Sequence, residues 1–123
     1  MASITVAGDV IDIGFTGWER LWIGRVRLAL PVTAVRHVEC VDHPLRLARG
    51  ARRGYVVSGV AKVGVWGLFG GPRQLVAARR DTPGLRLVLD RAAAGGEFDE
   101  IVLSDPAAAG VAEAIGRAMA ARA

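Results

Sequence analysis

The sequence contains little cysteine, little lysine and few aromatic residues, and these shortages exclude several kinds of site and partner. Of its 123 residues, Cys40 is the only cysteine and Lys62 the only lysine. A single cysteine forms no internal disulfide and no cysteine-rich zinc site, so we expect a reducing, cytoplasmic setting. Aromatic residues make up 6% of the chain and do not alternate with basic ones, as a nucleic-acid stacking platform requires. We therefore expect no nucleic-acid partner.

Long apolar runs are also absent. No uncharged apolar stretch approaches the roughly 18 residues that a membrane-spanning helix needs. The first residues carry no basic segment, so we expect no secretory signal peptide. With 52% hydrophobic residues, a chain of this length can bury a substantial core. We expect a single domain covering residues 1–123.

What the sequence does contain is glycine, 16 residues in all, and short alternating segments typical of β-strands. In the segment 25–30, for example, Val26, Leu28 and Leu30 alternate with Arg25 and Arg27. The same reasoning predicts strands at 4–6, 10–15, 25–30, 35–42, 60–66, 73–79, 85–90 and 101–103. The faces of segment 35–42 are mixed, which predicts a β-bulge. Residues 44–54 are predicted to be a loop containing at most one helical turn.

The last segment has a different pattern. Asp105 is a candidate N-cap and Pro106 a candidate first helical residue. Apolar residues then recur at helical spacing, at Ala108, Val111, Ile115, Ala118 and Met119. Strands followed by one helix predict a mainly β fold, a small barrel or an orthogonal sandwich, capped by a C-terminal α-helix.

Several segments occur in an order that resembles a known family. They are the segment 30–35, a basic proline-containing loop at 43–54, the strand ends at Trp66 and Arg79, and the final helix. In these features the chain resembles the small actinobacterial PH-like (pleckstrin-homology-like) domain proteins of the bacterial PH group. The resemblance implies a seven-stranded bent barrel capped by one C-terminal helix, with no enzymatic activity, no cofactor and no single ligand. The first strand-to-strand loop, residues 7–9, is short and acidic, which argues against phosphoinositide binding.

The charges are unevenly distributed. Residues 43–80 contain eight basic residues and no acidic one, whereas the rest of the chain has eight basic and twelve acidic residues. Such a segment can create a positive field that attracts anionic partners. We predict an anion- or partner-binding surface for an acidic protein or an anionic surface, formed by Arg46, Arg49, Arg52 and Arg53. The alternative is that these arginines pair with carboxylates from other segments.

Two groups of large apolar residues are candidate contacts. Trp66, Leu68 and Phe69 lie among glycines at a predicted hairpin tip. They either insert into a partner groove or a membrane interface, or fold back to fill the barrel mouth. Trp18 and Trp22 are one helical turn apart and either form a homodimer contact or pack the turn onto the barrel.

The segment 37–43 is dense in potential metal ligands. On a strand, however, His37 and Cys40 point to opposite faces, which argues against a metal site and against a catalytic pair. We predict that Cys40 is a small core residue. The sequence thus favours a non-enzymatic PH-like binding or scaffolding module. The alternatives are a small-ligand carrier or enzyme that uses the barrel interior, with His37 and Cys40 as its candidates, and a structural homo-oligomeric protein.

Overall fold

A computed structural model describes residues 2–48, 52–57, 59–68 and 70–122. At positions 18, 53 and 55 it describes the backbone alone. Within these residues the protein is mainly β, with its strands in two sheets and an α-helix at the C-terminal end. No helix in this part of the chain is long and apolar enough to cross a bilayer.

The smaller sheet, sheet A, is an antiparallel meander. Its strands are β1 (Ser3–Ala7), β2 (Val10–Gly14) and β3 (Arg27–Pro31), and the short helix α1 (Trp18–Ile23) separates β2 from β3. The alternation in β2 buries Ile11 and Ile13 completely and leaves Asp12 on the outer face. There Arg27 Nε donates a hydrogen bond to Asp12 Oδ1 at 2.6 Å.

The larger sheet, sheet B, has six strands in the spatial order β4-β8-β9-β7-β6-β5. Their bounds are β4 (Val35–Val41), β5 (Arg52–Val57), β6 (Ala61–Trp66), β7 (Gln74–Arg79), β8 (Gly84–Leu89) and β9 (Glu100–Ser104). The strands pair antiparallel except β7 and β9, which are parallel neighbours. Strand β9 therefore lies between the two strands that precede it in the chain.

The main core lies between the two sheets and is made of apolar side chains. Its fully buried members include Ile11 and Ile13 from sheet A and Leu75, Leu87 and Ile101 from sheet B. The helix α2 (Ala108–Ala120) packs against β1, β4 and β8 and so contacts an edge strand of each sheet.

The apolar stripe predicted for the C-terminal helix is confirmed. Ala108 and Ile115 are completely buried, and Val111, Ala118 and Met119 pack against the main core. The helix begins later than the sequence predicts. A turn precedes it, in which the carboxylate of Asp105 accepts a hydrogen bond from the Ala107 amide at 2.8 Å.

The mainly β fold with a C-terminal helix is confirmed, but its strands differ in number from the prediction. The described residues form nine strands in two sheets, whereas the resemblance implies seven in one barrel. The additional strand β5 begins inside the segment 44–54 that the sequence predicts to be a loop, because Gly54 and the two arginines before it show no alternating pattern. The bulge predicted in β4 is confirmed, as the register with β8 shifts between Val35 and His37.

Candidate functional site

The outer face of sheet B is covered by the chain segment 44–48. This segment contains a 3-10 turn, Pro44–Leu47, and its side chains pack on a second, smaller apolar core. The buried members of that core are Trp66, Val76, Ala78 and Val102, and Leu45, Leu47, Ala48 and Val56 pack against them. A segment predicted as an exposed basic loop is therefore anchored to the sheet through its apolar residues.

Three contacts hold this segment in place. Pro44 is buried and rests on Gly84, where a Cβ atom would lie 2.5 Å from the Cβ of Pro44. Lys62 Nζ donates a hydrogen bond to the carbonyl of Leu45 at 2.8 Å. Gln74 Nε2 donates to the carbonyl of Leu47 at 2.6 Å. The segment is thus fixed at its beginning, middle and end, which leaves little conformational entropy to lose when a ligand binds beside it.

The Gln74 amide belongs to a polar network that crosses the same face of the sheet. It donates to Glu100 Oε1 at 2.6 Å, and Arg86 donates to Glu100 Oε2 at 3.1 Å and to Glu39 Oε1 at 3.0 Å. His37 Nε2 lies 3.2 Å from Glu39 Oε2. Hydrogen bonds from His37 and Arg86 lower the pKa of Glu39. Since Gln74 and Glu100 are buried, the network satisfies polar groups that would otherwise be costly to bury.

Beside the 44–48 segment lies an open cavity of about 640 Å³. It is bounded by the end of β4 with the Pro44–Leu47 turn, by the β5–β6 hairpin tip, and by the connection from β7 to β8. We call it the basic groove; its lining residues are Asp42, His43, Pro44, Leu45, Arg46, Gly59, Arg79, Arg80, Asp81 and Pro83. The Arg80 amide donates to the Val60 carbonyl at 2.7 Å, which ties the β7–β8 connection to the hairpin tip.

The guanidinium groups of the groove differ in their partners. Arg80 Nε lies 3.4 Å from Asp81 Oδ2, but both side chains are largely exposed, so this pair contributes little to stability. Arg46 and Arg79 make no side-chain hydrogen bond or ion pair with any residue that the structure describes. Two cationic groups are therefore available on the walls of one cavity.

The structure brings together only part of the predicted anion-binding set. Arg46 lines the groove, whereas Arg52 is exposed at the far end of β5, in register with Trp66. Arg49 and the side chain of Arg53 lie outside the described residues. Arg79 and Arg80 take their place in the groove. The sequence signal for them was the acid-free segment 43–80, of which they are the last two basic residues.

The predicted apolar tip at 66–69 is partly wrong. Trp66 is 4% exposed and belongs to the second core beneath the 44–48 segment, so it provides no surface contact. The covering segment is distant in sequence, which is why the local pattern suggested exposure. Leu68 is half-buried against the main core, in line with the alternative that the loop folds back. Phe69 lies outside the described residues.

Trp18 is the first residue of the helix α1, and Trp22 lies four residues later in the same helix. The indole of Trp22 is half-buried and packs against the main core, in line with the packing alternative. The side chain of Trp18 is not described, so its predicted role in a homodimer contact stays a prediction.

The prediction that Cys40 is a core residue is wrong, because its thiol is exposed. Strand β4 is an edge strand of sheet B, and its side chains have a neighbouring strand on one side only. His37 is also exposed and contacts Glu39 rather than Cys40. Among the described residues, no three histidine, cysteine, aspartate or glutamate side chains gather as a metal site would require.

Two smaller cavities are present. One of about 240 Å³ is lined in part by Arg25, Arg73 and Phe98, and one of about 320 Å³ lies over sheet A. His37 and Cys40 line none of the three cavities.

Comparisons of the chain with models of protein families, with curated proteins and with solved structures find no match.

Proposed function

We propose that this protein is a non-enzymatic binding module that recognises an acidic protein partner through the basic groove. The observation that carries the proposal is the position of Arg46 and Arg79. Both line one cavity from different elements, and neither has a side-chain partner within the described part of the chain. A guanidinium can give two parallel hydrogen bonds to a carboxylate, which suits it to this task.

The charge distribution supports an electrostatic mode of recognition. The segment 43–80 supplies all three arginines of the groove, and it contains no acidic residue. Asp42 and Asp81, which flank that segment, place negative charge at the same cavity. Those two carboxylates would repel the continuous phosphate backbone of a nucleic acid, whereas the separate side-chain carboxylates of a flexible acidic polypeptide can avoid them.

The proposal includes a PH-like fold and a cytosolic location. In favour of the fold are its two β-sheets that share one core and the helix α2, which follows the last strand of the larger sheet. The nine strands and the parallel β7–β9 pair depart from the seven-stranded barrel of the family it resembles. In favour of the cytosol is the exposed free thiol of Cys40, which is easily oxidised outside a reducing compartment.

The other two functions have less support. A carrier or enzyme that used the interior would need a cavity between the sheets, but the side chains described there are apolar and closely packed. A structural homo-oligomer would use an exposed apolar surface. Leu21 and Val26 are 65% and 62% exposed, but scattered surface residues of this kind are common on monomeric proteins.

Poly-L-glutamate is a suitable first probe for the proposed function. We expect the wild-type protein to bind it with an affinity that falls as salt is raised, because the attraction is screened. The double variant Arg46→Glu/Arg79→Glu should bind at least ~10-fold more weakly. The matched control is Arg20→Glu/Arg117→Glu, which makes the same charge change at exposed positions on the two helices. An equal loss in both double variants would mean that net charge, not the groove, governs binding.

A further inference from the structure

The lining of the basic groove indicates which anion it takes. We infer that the groove binds a single carboxylate carried on an apolar body, such as an apolar organic acid or the C-terminus of a peptide. This inference rests on the proposed function and narrows it to one chemical class of ligand group. It follows from the charge balance of the groove, its apolar wall and the way its arginines are held.

The charge balance favours a monoanion. Among the described residues, three arginines and two aspartates line the groove. Arg80 and Asp81 pair with each other, and Asp42 offsets one of the two arginines that remain. A carboxylate neutralises the single surplus positive charge. A dianionic phosphate would leave one negative charge in excess beside Asp42, and the two like charges would repel each other.

The groove is also larger than its charged group requires and partly apolar. Its volume of about 640 Å³ falls within the ~300–1,000 Å³ typical of sites for organic ligands. Pro44, Leu45 and Pro83 form the apolar part of its wall, and Gly59 presents no side chain at the hairpin tip. A bare inorganic ion would leave this wall in contact with water, whereas an apolar body buries it.

The two available arginines are attached to well-fixed backbone. Arg46 lies between Leu45 and Leu47, whose carbonyls accept hydrogen bonds from Lys62 and Gln74. Arg79 ends β7, and its amide donates to Ser104 Oγ at 2.7 Å. A fixed backbone lowers the entropic cost of holding a carboxylate between the two guanidinium groups.

A set of small probes tests separately how the carboxylate and the apolar group that carries it contribute to binding. N-acetylleucine carries one carboxylate and an apolar side chain, N-acetylleucinamide lacks the charge, acetate lacks the body, and phenyl phosphate is a dianion with an apolar body. By calorimetry or NMR titration we expect N-acetylleucine to bind at least ~10-fold more tightly than each of the other three. Octanoate and a tripeptide with an apolar, free C-terminus then distinguish a free acid from a protein C-terminus as the source.

Variants locate the binding in the groove. Arg46→Gln and Arg79→Gln should each weaken N-acetylleucine binding several-fold, and the control Arg20→Gln should leave it unchanged. Asp42→Asn removes one negative charge from the groove, so we expect phenyl phosphate to gain affinity relative to N-acetylleucine. If Asp42 only supported the local structure, its replacement would change the affinities for phenyl phosphate and N-acetylleucine by the same factor.

The outcomes distinguish this inference from the proposed function. If phenyl phosphate or the amide binds as tightly as N-acetylleucine, the carboxylate inference is wrong, even where binding depends on Arg46 and Arg79. If none of the small anions and no poly-L-glutamate binds through the groove, the proposed function fails as well.

Discussion

Gly84 and Pro44 are in direct contact, and this contact positions one wall of the basic groove. A Cβ atom built at Gly84 would lie 2.5 Å from the Cβ of Pro44 and 3.1 Å from Cγ2 of Val41. The proline ring is rigid and buried, so it cannot move aside at low cost. Glycine is therefore required at the start of β8 for the 44–48 segment to lie flat on the sheet.

We accordingly expect Gly84→Ala to lower the free energy of unfolding by about 1–3 kcal/mol, as overpacking does in other proteins. It should also weaken ligand binding in the groove. The matched control is Gly110→Ala in α2, where a Cβ would meet nothing within 4 Å. That change should be neutral or stabilise by up to about 1 kcal/mol. Urea unfolding measures the stability of both variants. Equal changes in the free energy of unfolding would contradict the contact between Gly84 and Pro44.

The buried carboxylate of Glu100 provides a second prediction. Removing it leaves the amide of Gln74 and the guanidinium of Arg86 without their shared acceptor. We expect Glu100→Ala to lower the free energy of unfolding by about 3 kcal/mol. Glu113→Ala removes an exposed carboxylate whose ion pair with Arg117 is 4.0 Å long, and it should change stability by less than about 0.5 kcal/mol. A loss no larger than that of the control would mean that the network is not formed.

Two surface ion pairs, Asp12–Arg27 and Asp99–Arg91, predict how the free energy of unfolding depends on pH. The hydrogen bond from Arg27 lowers the pKa of Asp12, and the hydrogen bond from Arg91 lowers that of Asp99, both below the ordinary value of 3.8. The folded state therefore binds these protons less readily than the unfolded state. The resulting stability is present above about pH 4 and is lost as the pH falls through the lowered folded values.

Thermal unfolding followed by circular dichroism between pH 7 and pH 2 measures this loss. We expect the Tm of the wild type to fall as the pH is lowered below about 4. The double variant Asp12→Asn/Asp99→Asn should start from a lower Tm at pH 7 and show a shallower acid-induced fall. A fall as steep as that of the wild type would show that these two pairs do not contribute.

The exposure of Cys40 predicts its reactivity. Because the thiol is on the surface of an edge strand, a thiol-specific reagent should modify one cysteine per chain without denaturant. The modified protein should keep its circular dichroism spectrum and its Tm within a few degrees. Modification that required urea would place Cys40 in the core, as the sequence pattern suggested.

The local pattern was enough to predict most of the secondary structure. The alternation around Leu85 and Leu87, the mixed faces of β4 and the apolar stripe ending at Met119 each arise from contacts that follow the periodicity of a single element. Strand β5 was missed because Gly54 and the arginines before it do not alternate. The parallel pairing of β7 with β9 joins Leu75 to Ile101, and no local pattern carries that information.

The candidate site could be predicted only in part for a similar reason. The acid-free segment indicated where positive charge lies, but it did not show that Arg46 and Arg79 line one cavity while Arg52 lies elsewhere. Nor did it show that the 44–48 segment covers Trp66. Both facts depend on how a loop folds over a distant sheet face, which the spacing of residues along the chain does not encode.

The most direct test of the account is to map the ligand on the protein by NMR. Titration of the ¹⁵N-labelled protein with N-acetylleucine should shift the backbone amides of residues 42, 43, 45, 46 and 79–82 most strongly, together with that of Gly59. The side-chain Nε signals of Arg46 and Arg79 should shift with the same apparent Kd, and the Arg20 signal should stay in place. Shifts centred on any other surface, or none at millimolar ligand, would contradict anion recognition at the basic groove.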